Sequence, residues 1–248
     1  MKEVLAFIEE QKQEYTKLPL FQFLDDKTID PRQRLGFAPC IAHFIMSFGD
    51  LNKYVFREKE AVTKAQQIIN EHTFEDDHHW PWFITDLEKL GFNQSMTFTQ
   101  VLRFLWSEQT KVSRLLSYYL SAYTLQADPL MKIIVIEAIE ATGNVLFSKT
   151  AKIASELTAV TQQDYIYFGE FHFNLETGHA MGEHEGEKYL EQIKLTDVQR
   201  QEAYDLVKKI FSIFTDWTNE LLAYAQKQII EEENSKVANS TLVHCGKH

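Results

Sequence analysis

Apolar residues recur along this chain at intervals of three and four, the period of helices laid against a core, and seldom at the interval of two that marks strands. Residues 2 to 17 carry the pattern as a short amphipathic helix, followed by a loop holding Pro19 and a turn near Asp30-Pro31. The run RLGFAPCIAHFIMSFGDLNKYVF is nearly continuous in apolar and aromatic residues. It is too long for a buried strand and predicts a buried helix from about 33 to 55, with a kink at Pro39. From about 57 a helical pattern leads into EHTFEDDHHWPWFITDLEKLG, where Pro81 removes a backbone donor and should kink or restart the helix. Residues 98 to 124 give one or two helices, and Asp128-Pro129 opens another that runs to about 158. A further helical stretch covers 162 to 184, a long terminal helix covers 195 to 232, and 233 to 248 are expected to form a disordered tail.

Composition narrows the fold class. With 248 residues, 44% hydrophobic and 13% aromatic, the chain can bury a sizeable core, and nine glycines and five prolines are too few to punctuate a β-sandwich or barrel. An all-α single domain over 1-232 is the expectation, since no repeat or low-complexity linker divides it. A formal charge of −11 argues against nucleic acid and anionic membrane as partners, because both need a basic patch. The start, MKEVLAFIEEQKQEY, has no signal-peptide apolar core, and no run approaches the ~18 apolar residues of a membrane span. Cys40 lies in an apolar stretch and Cys245 in the tail, which gives neither a disulfide framework nor a thiolate cluster and fits a reducing, cytoplasmic location.

The chemistry concentrates in residues 172 to 179, His-Phe-Asn-Leu-Glu-Thr-Gly-His. On a helix, His172, Glu176 and His179 fall on one narrow stripe, because i, i+4 and i+7 lie within about 60° of one another. Two imidazoles and a carboxylate suit Fe(II), Mn(II) or Zn(II) and leave coordination positions open. The plain alternative is a hydrogen-bonded polar cluster or a surface pair of Glu176 with His179. Tyr165 and Phe168 upstream belong to an interior face, so the three ligand-type residues are expected to point inward.

A second cluster offers two competing stripes. Val62, Ala65, Ile69, His72, Asp76, His79 and Phe83 form one, and Ala61, Lys64, Ile68, Glu71, Glu75, His78 and Trp82 form the other. The first is the more apolar and favours His79 with Asp76 as inward ligands and His72 nearby, while Glu75-x-x-His78 stays open as the alternative. Glu140 continues a third stripe through Ile133, Ile136, Gly143 and Phe147, where Gly143 would admit a close neighbour. His43, alone in an apolar helix, reads as a core residue. Together His79, Asp76 or Glu75, Glu140, His172, Glu176 and His179 could hold two metal ions, with three carboxylates offsetting most of the charge of two divalent cations.

On these residues the stretch YIYFGEFHFNLETGHAMGEHEG resembles the last metal-binding helix of the haem-oxygenase-like di-iron oxidases and oxygenases, whose pattern there is His-x3-Asp/Glu-x2-His. Glu140 matches the family's upstream Glu, and His79 running to Leu90-Gly91 matches its second His-bearing helix. The resemblance spans about residues 33 to 232 and includes CADD-type, TenA and PQQ-synthase folds. It implies a single haem-oxygenase-like helical bundle, a non-haem centre of two iron ions or of manganese, dioxygen and a small organic substrate as reactants, and a homodimer as the form to look for. Tyr165 is then a hydrogen-bond donor to a ligand or a target of self-oxidation, and His72 likewise supports the ligands without binding the metal. Two departures stand out. His72 occupies a position where these enzymes often have Glu, so the carboxylate of the first site must come from Asp76, Glu75 or Glu71, and Glu176 replaces the commoner Asp. Haem binding is not implied, and TenA-like thiaminase chemistry would need a nucleophilic cysteine, for which Cys40 has no evident activating partner.

Two rival readings remain. A ferritin-like di-metal protein would pair Glu75-x-x-His78 with Glu176-x-x-His179, but Asp50 at the polar end of its helix is a poor candidate for the missing first-helix carboxylate. A metal-free haem-oxygenase-fold protein would use the same histidines to bind a ligand or partner.

Overall fold

The computed structural model describes residues 1–175 and 189–245, with side chains described as far as 235. Helix makes up 78% of it and no strand occurs among the described residues, so the protein is an all-α bundle. Helix α1 spans Lys2–Tyr15. Helices α2, Pro19–Asp25, and α3, Pro31–Arg34, both start on a proline, where the absent N–H has no intrahelical partner to lose. The two prolines expected in a loop and a turn therefore nucleate short helices, the second capped by the Asp30 carboxylate on the Arg32 N–H.

The apolar run from 33 to 55 is one buried layer but not one helix. Pro39 sits in a 3₁₀ turn, Ala38–Ile41, which leads into α4, Ala42–Leu51, and then a π-helical turn over Asn52–Phe56. Next, α5, Lys64–Asp76, is capped by Thr63, and α6, Trp80–Lys89, restarts at Pro81. Helix α7, Phe98–Leu105, opens with a capping box of Thr97 and Gln100, and a 3₁₀ turn at Glu108–Thr110 leads into α8, Lys111–Thr124. Asp128 caps α9, Pro129–Thr161, by accepting from the Leu130 and Met131 N–H groups.

Helix α9 is buried over most of its length from Met131 to Leu157 and forms the axis of the bundle, with α1, α2, α3, α5 and α8 packed around it. The final helix, α10, Asp197–Cys245, closes the bundle against α9, α8 and α1. Its core stripe runs Ala203, Val207, Ile210, Phe214, Trp217, Leu221, Ala225, in steps of three and four. The helical backbone passes residue 232 and continues through most of the expected tail, and the sequence shows why: no glycine or proline intervenes between Asp197 and Gly246.

Helices α8 and α10 are fastened at one point. The Glu220 carboxylate accepts from the Val112 and Ser113 N–H groups at 2.6 and 2.8 Å, capping α8 from a neighbouring helix, and Trp217 Nε1 donates to Ser113 Oγ at 2.8 Å. Cys40 Sγ donates to the Gln109 carbonyl beside this cap, and burial, reinforced by the Glu220 charge, pushes its thiol pKa up. A thiol held protonated in this way is no nucleophile. Among the described residues no helix is long and apolar enough to cross a membrane.

Candidate metal centre

Helices α5 and α9 face each other across an interior cavity, and each sends ligand-type side chains toward it. His72 Nε2 lies 3.1 Å from Asp76 Oδ2, one turn away on α5, and 3.4 Å from Glu140 Oε1 on α9. Donor atoms of these three side chains all lie within 4.8 Å of one another. Asp76 is buried, and its Oδ1 receives no hydrogen bond among the described residues. A buried carboxylate oxygen without a donor is costly unless a cation is near it. Burial opposes a charge on His72, but the Asp76 and Glu140 carboxylates outweigh it and hold the imidazole pKa well above its ordinary value.

A second pair of donors lines the same cavity. His79 precedes α6 and His172 lies in the helical segment 170–175; both are buried, and His172 Nε2 is 3.1 Å from His79 Nδ1. The two rings meet nearly edge to face, His79 stacks on Trp82, and His172 packs against Phe147 and Tyr167. His172 Nδ1 bonds the Tyr167 carbonyl at 2.9 Å. A carbonyl can only accept, so Nδ1 carries the proton and Nε2 presents its lone pair. Two nitrogens about 2.1 Å from one ion at right angles lie about 3.0 Å apart, so the observed spacing suits a pair of ligands as well as a hydrogen bond.

The cavity has a volume of about 70 Å³. Asp76, Asp77, His79, Glu140 and His172 are its carboxylate and imidazole lining, and Phe44, Phe48, Leu146, Phe147, Phe214 and Trp217 line much of the rest. Gly49 of α4 brings its backbone against the turn before α6: a Cβ there would sit 2.7 Å from the Asp77 carbonyl oxygen. Gly143, expected to admit a close neighbour, behaves differently. A Cβ at that position would meet only Phe147 among the described residues, at 3.7 Å, so the glycine leaves room in the cavity.

Of the sequence-predicted residues, Asp76, His79, Glu140 and His172 are brought to one cavity, and His72 joins them through direct contact with Asp76 and Glu140. Glu75 and Glu71 are exposed, as is Asp50. His78 is 59% exposed and lies against Asp77. Tyr165 lines a separate cavity behind Trp82, together with Ala151 and Thr158, while Tyr167 takes the place beside the histidines. His43 packs on Trp106 and is not among the lining residues. Glu176 and His179 lie outside the described residues. Sequence reading missed Tyr167, the stacking role of Trp82, and Asp86, which is buried on α6 and accepts from the Ile166 and Phe168 N–H groups. The last had a signal, because Asp86 continues the spacing His72, Asp76, His79, Phe83 by three more residues, a charge on an apolar stripe.

The donor set fits a divalent transition ion: three imidazoles and two carboxylates, drawn from four segments, converge in a largely apolar surround. No family model matches the chain, and no curated protein matches it at a significant level.

Proposed function

We propose that the protein is a non-haem di-iron oxidase or oxygenase that uses dioxygen to oxidise a small organic substrate, in a cytoplasmic setting. The observation that carries the reading is the convergence of His72, Asp76 and Glu140 with the His79–His172 pair on one cavity. His72, Asp76, Glu140, His79 and His172 would hold iron, with Glu176 and His179, on the same sequence stripe as His172, as further ligands. Bound iron, or manganese in its place, supplies redox chemistry toward dioxygen that these side chains lack. The chain's own part is to present neutral imidazole lone pairs and carboxylates in fixed orientations and to exclude bulk water. The aromatic wall offers an apolar surface to an organic substrate, and no Lys or Arg lines the cavity among the described residues.

The exposure of Glu75 and His78 weighs against the ferritin-like assignment. One observation favours the metal-free reading: His79 and His172 already bond one another. Metal titration of single variants separates the three. His79→Ala and His172→Ala should each lower Fe(II) affinity at least tenfold, by calorimetry under anaerobic conditions, while Glu75→Ala and His78→Ala stay within about twofold of wild type. The reverse pattern supports the ferritin-like arrangement. Wild-type protein that takes up no metal supports the binding module.

A further inference from the structure

Asp86 is completely buried in α6 and is absent from the ligand set, yet both of its carboxylate oxygens are used. Oδ1 accepts from the Ile166 N–H at 3.1 Å and Oδ2 from the Phe168 N–H at 3.0 Å. The second of these N–H groups belongs to the peptide whose carbonyl is that of Tyr167, and that carbonyl accepts from His172 Nδ1 at 2.9 Å. A single peptide plane is therefore bonded at both ends, to a carboxylate on one side and an imidazole on the other. The segment has little freedom to do otherwise. A Cβ on Gly169 would fall 1.9 Å from the Tyr165 carbonyl oxygen, so the turn leading into the 170–175 helix is wound too tightly for a side chain.

From this we infer that Asp86 is a positioning residue for the metal centre, acting through the 167–168 peptide on His172. A negative charge on the N–H side polarises the peptide and makes its carbonyl a stronger acceptor, so hydrogen bonds in series reinforce one another. The stronger Nδ1–H bond fixes one tautomer, aims Nε2 at the cavity and raises its basicity as a ligand. A carboxylate bonded directly to a metal-bound histidine does the same work, and here a peptide is inserted between them. Burying an aspartate where a neutral residue would pack has a cost, visible in the upward shift that burial imposes on its carboxyl against the backbone donors. Two N–H groups in a turn can be satisfied by neutral acceptors. A carboxylate differs in delivering charge to the far end of the peptide.

The inference rests on the metal-centre reading, but its first test needs no metal. In chelator-treated wild-type protein, ¹⁵N NMR of the histidine rings should show His172 as the Nδ1–H tautomer, with one unprotonated nitrogen at Nε2. An Nε2–H tautomer would overturn the relay whether or not the protein binds iron. Asp86→Asn, which keeps the volume and one acceptor, should give a mixture of tautomers and lower Fe(II) affinity about 10–100-fold, the range for outer partners of metal-bound histidines. Glu220→Gln, which loosens the α8 cap at a distance, controls for lost stability and should leave affinity within twofold. An Asp86→Asn protein with the wild-type tautomer and affinity, or a Glu220→Gln protein with an equal loss of affinity, would contradict the proposal. If Asp86→Asn does not fold, an Nε2–H tautomer in the wild type still overturns the proposal. If wild-type protein shows the expected tautomer and binds no iron, the relay stands and the oxidase reading falls.

Discussion

His72 places one imidazole nitrogen against two carboxylates, and this sets opposite pH responses for the metal-free and metal-loaded protein. Its folded-state pKa is raised, so its contribution to stability is fully present below the unfolded value near 6.5 and is lost as pH climbs through the folded one. Chelated protein should therefore lose unfolding free energy as pH rises above the unfolded value near 6.5, and His72→Gln should flatten that slope in urea titrations. Iron competes with the same proton, so metal retention should rise over the interval in which the metal-free protein weakens. At this scale the sequence was most informative where ligand types recur at helical spacing: His172, His79, Asp76 and Glu140 could all be named from it. It favoured Asp76 on the more apolar stripe but left Glu75 open, because the fates of adjacent residues depend on how α5 is rolled against α9. Tyr167 was invisible because its contribution to His172 comes through a backbone carbonyl, which no side-chain pattern encodes.

Helices were legible where capping residues and prolines mark their ends, as at Asp128-Pro129 and Pro81, and less so within the 33 to 55 run. There the apolar pattern continues without interruption across a 3₁₀ turn, α4 and a π turn, because each of the three buries residues in the core. The consequence for the site is the placement of Gly49, where α4 crosses the turn before His79. The Cβ of Gly49→Ala would press on the Asp77 carbonyl, which cannot swing away as a side-chain tip can. The substitution should cost about 1–3 kcal/mol in chelator, as overpacked cores do. It should also reduce metal retention, because the displaced turn carries His79; equal retention by elemental analysis would show that α4 is a passive wall.

For the whole molecule, the pieces of the centre lie in three stretches far apart in sequence, 72–79, Glu140 and the 170–175 segment, and they meet only when α9 is wrapped by its neighbours. All-α architecture follows from the periodicity, and the stripes point Asp76 and Glu140 inward with His72 nearby, but the direct contact of His72 with Glu140 follows from tertiary packing, which no single stripe encodes. An ion shared by these elements would cross-link them, so loading should raise the unfolding midpoint, and chelation should lower it, in proportion to the affinity for the folded state. The direct measurement is iron retained per chain after anaerobic Fe(II) loading and desalting, followed by absorption spectra on admitting air. About two irons per chain with an oxygen-dependent spectral change is the expected result. Well-folded protein that keeps less than about half an equivalent of any transition metal would contradict the oxidase assignment and leave the histidines as the lining of a metal-free binding pocket.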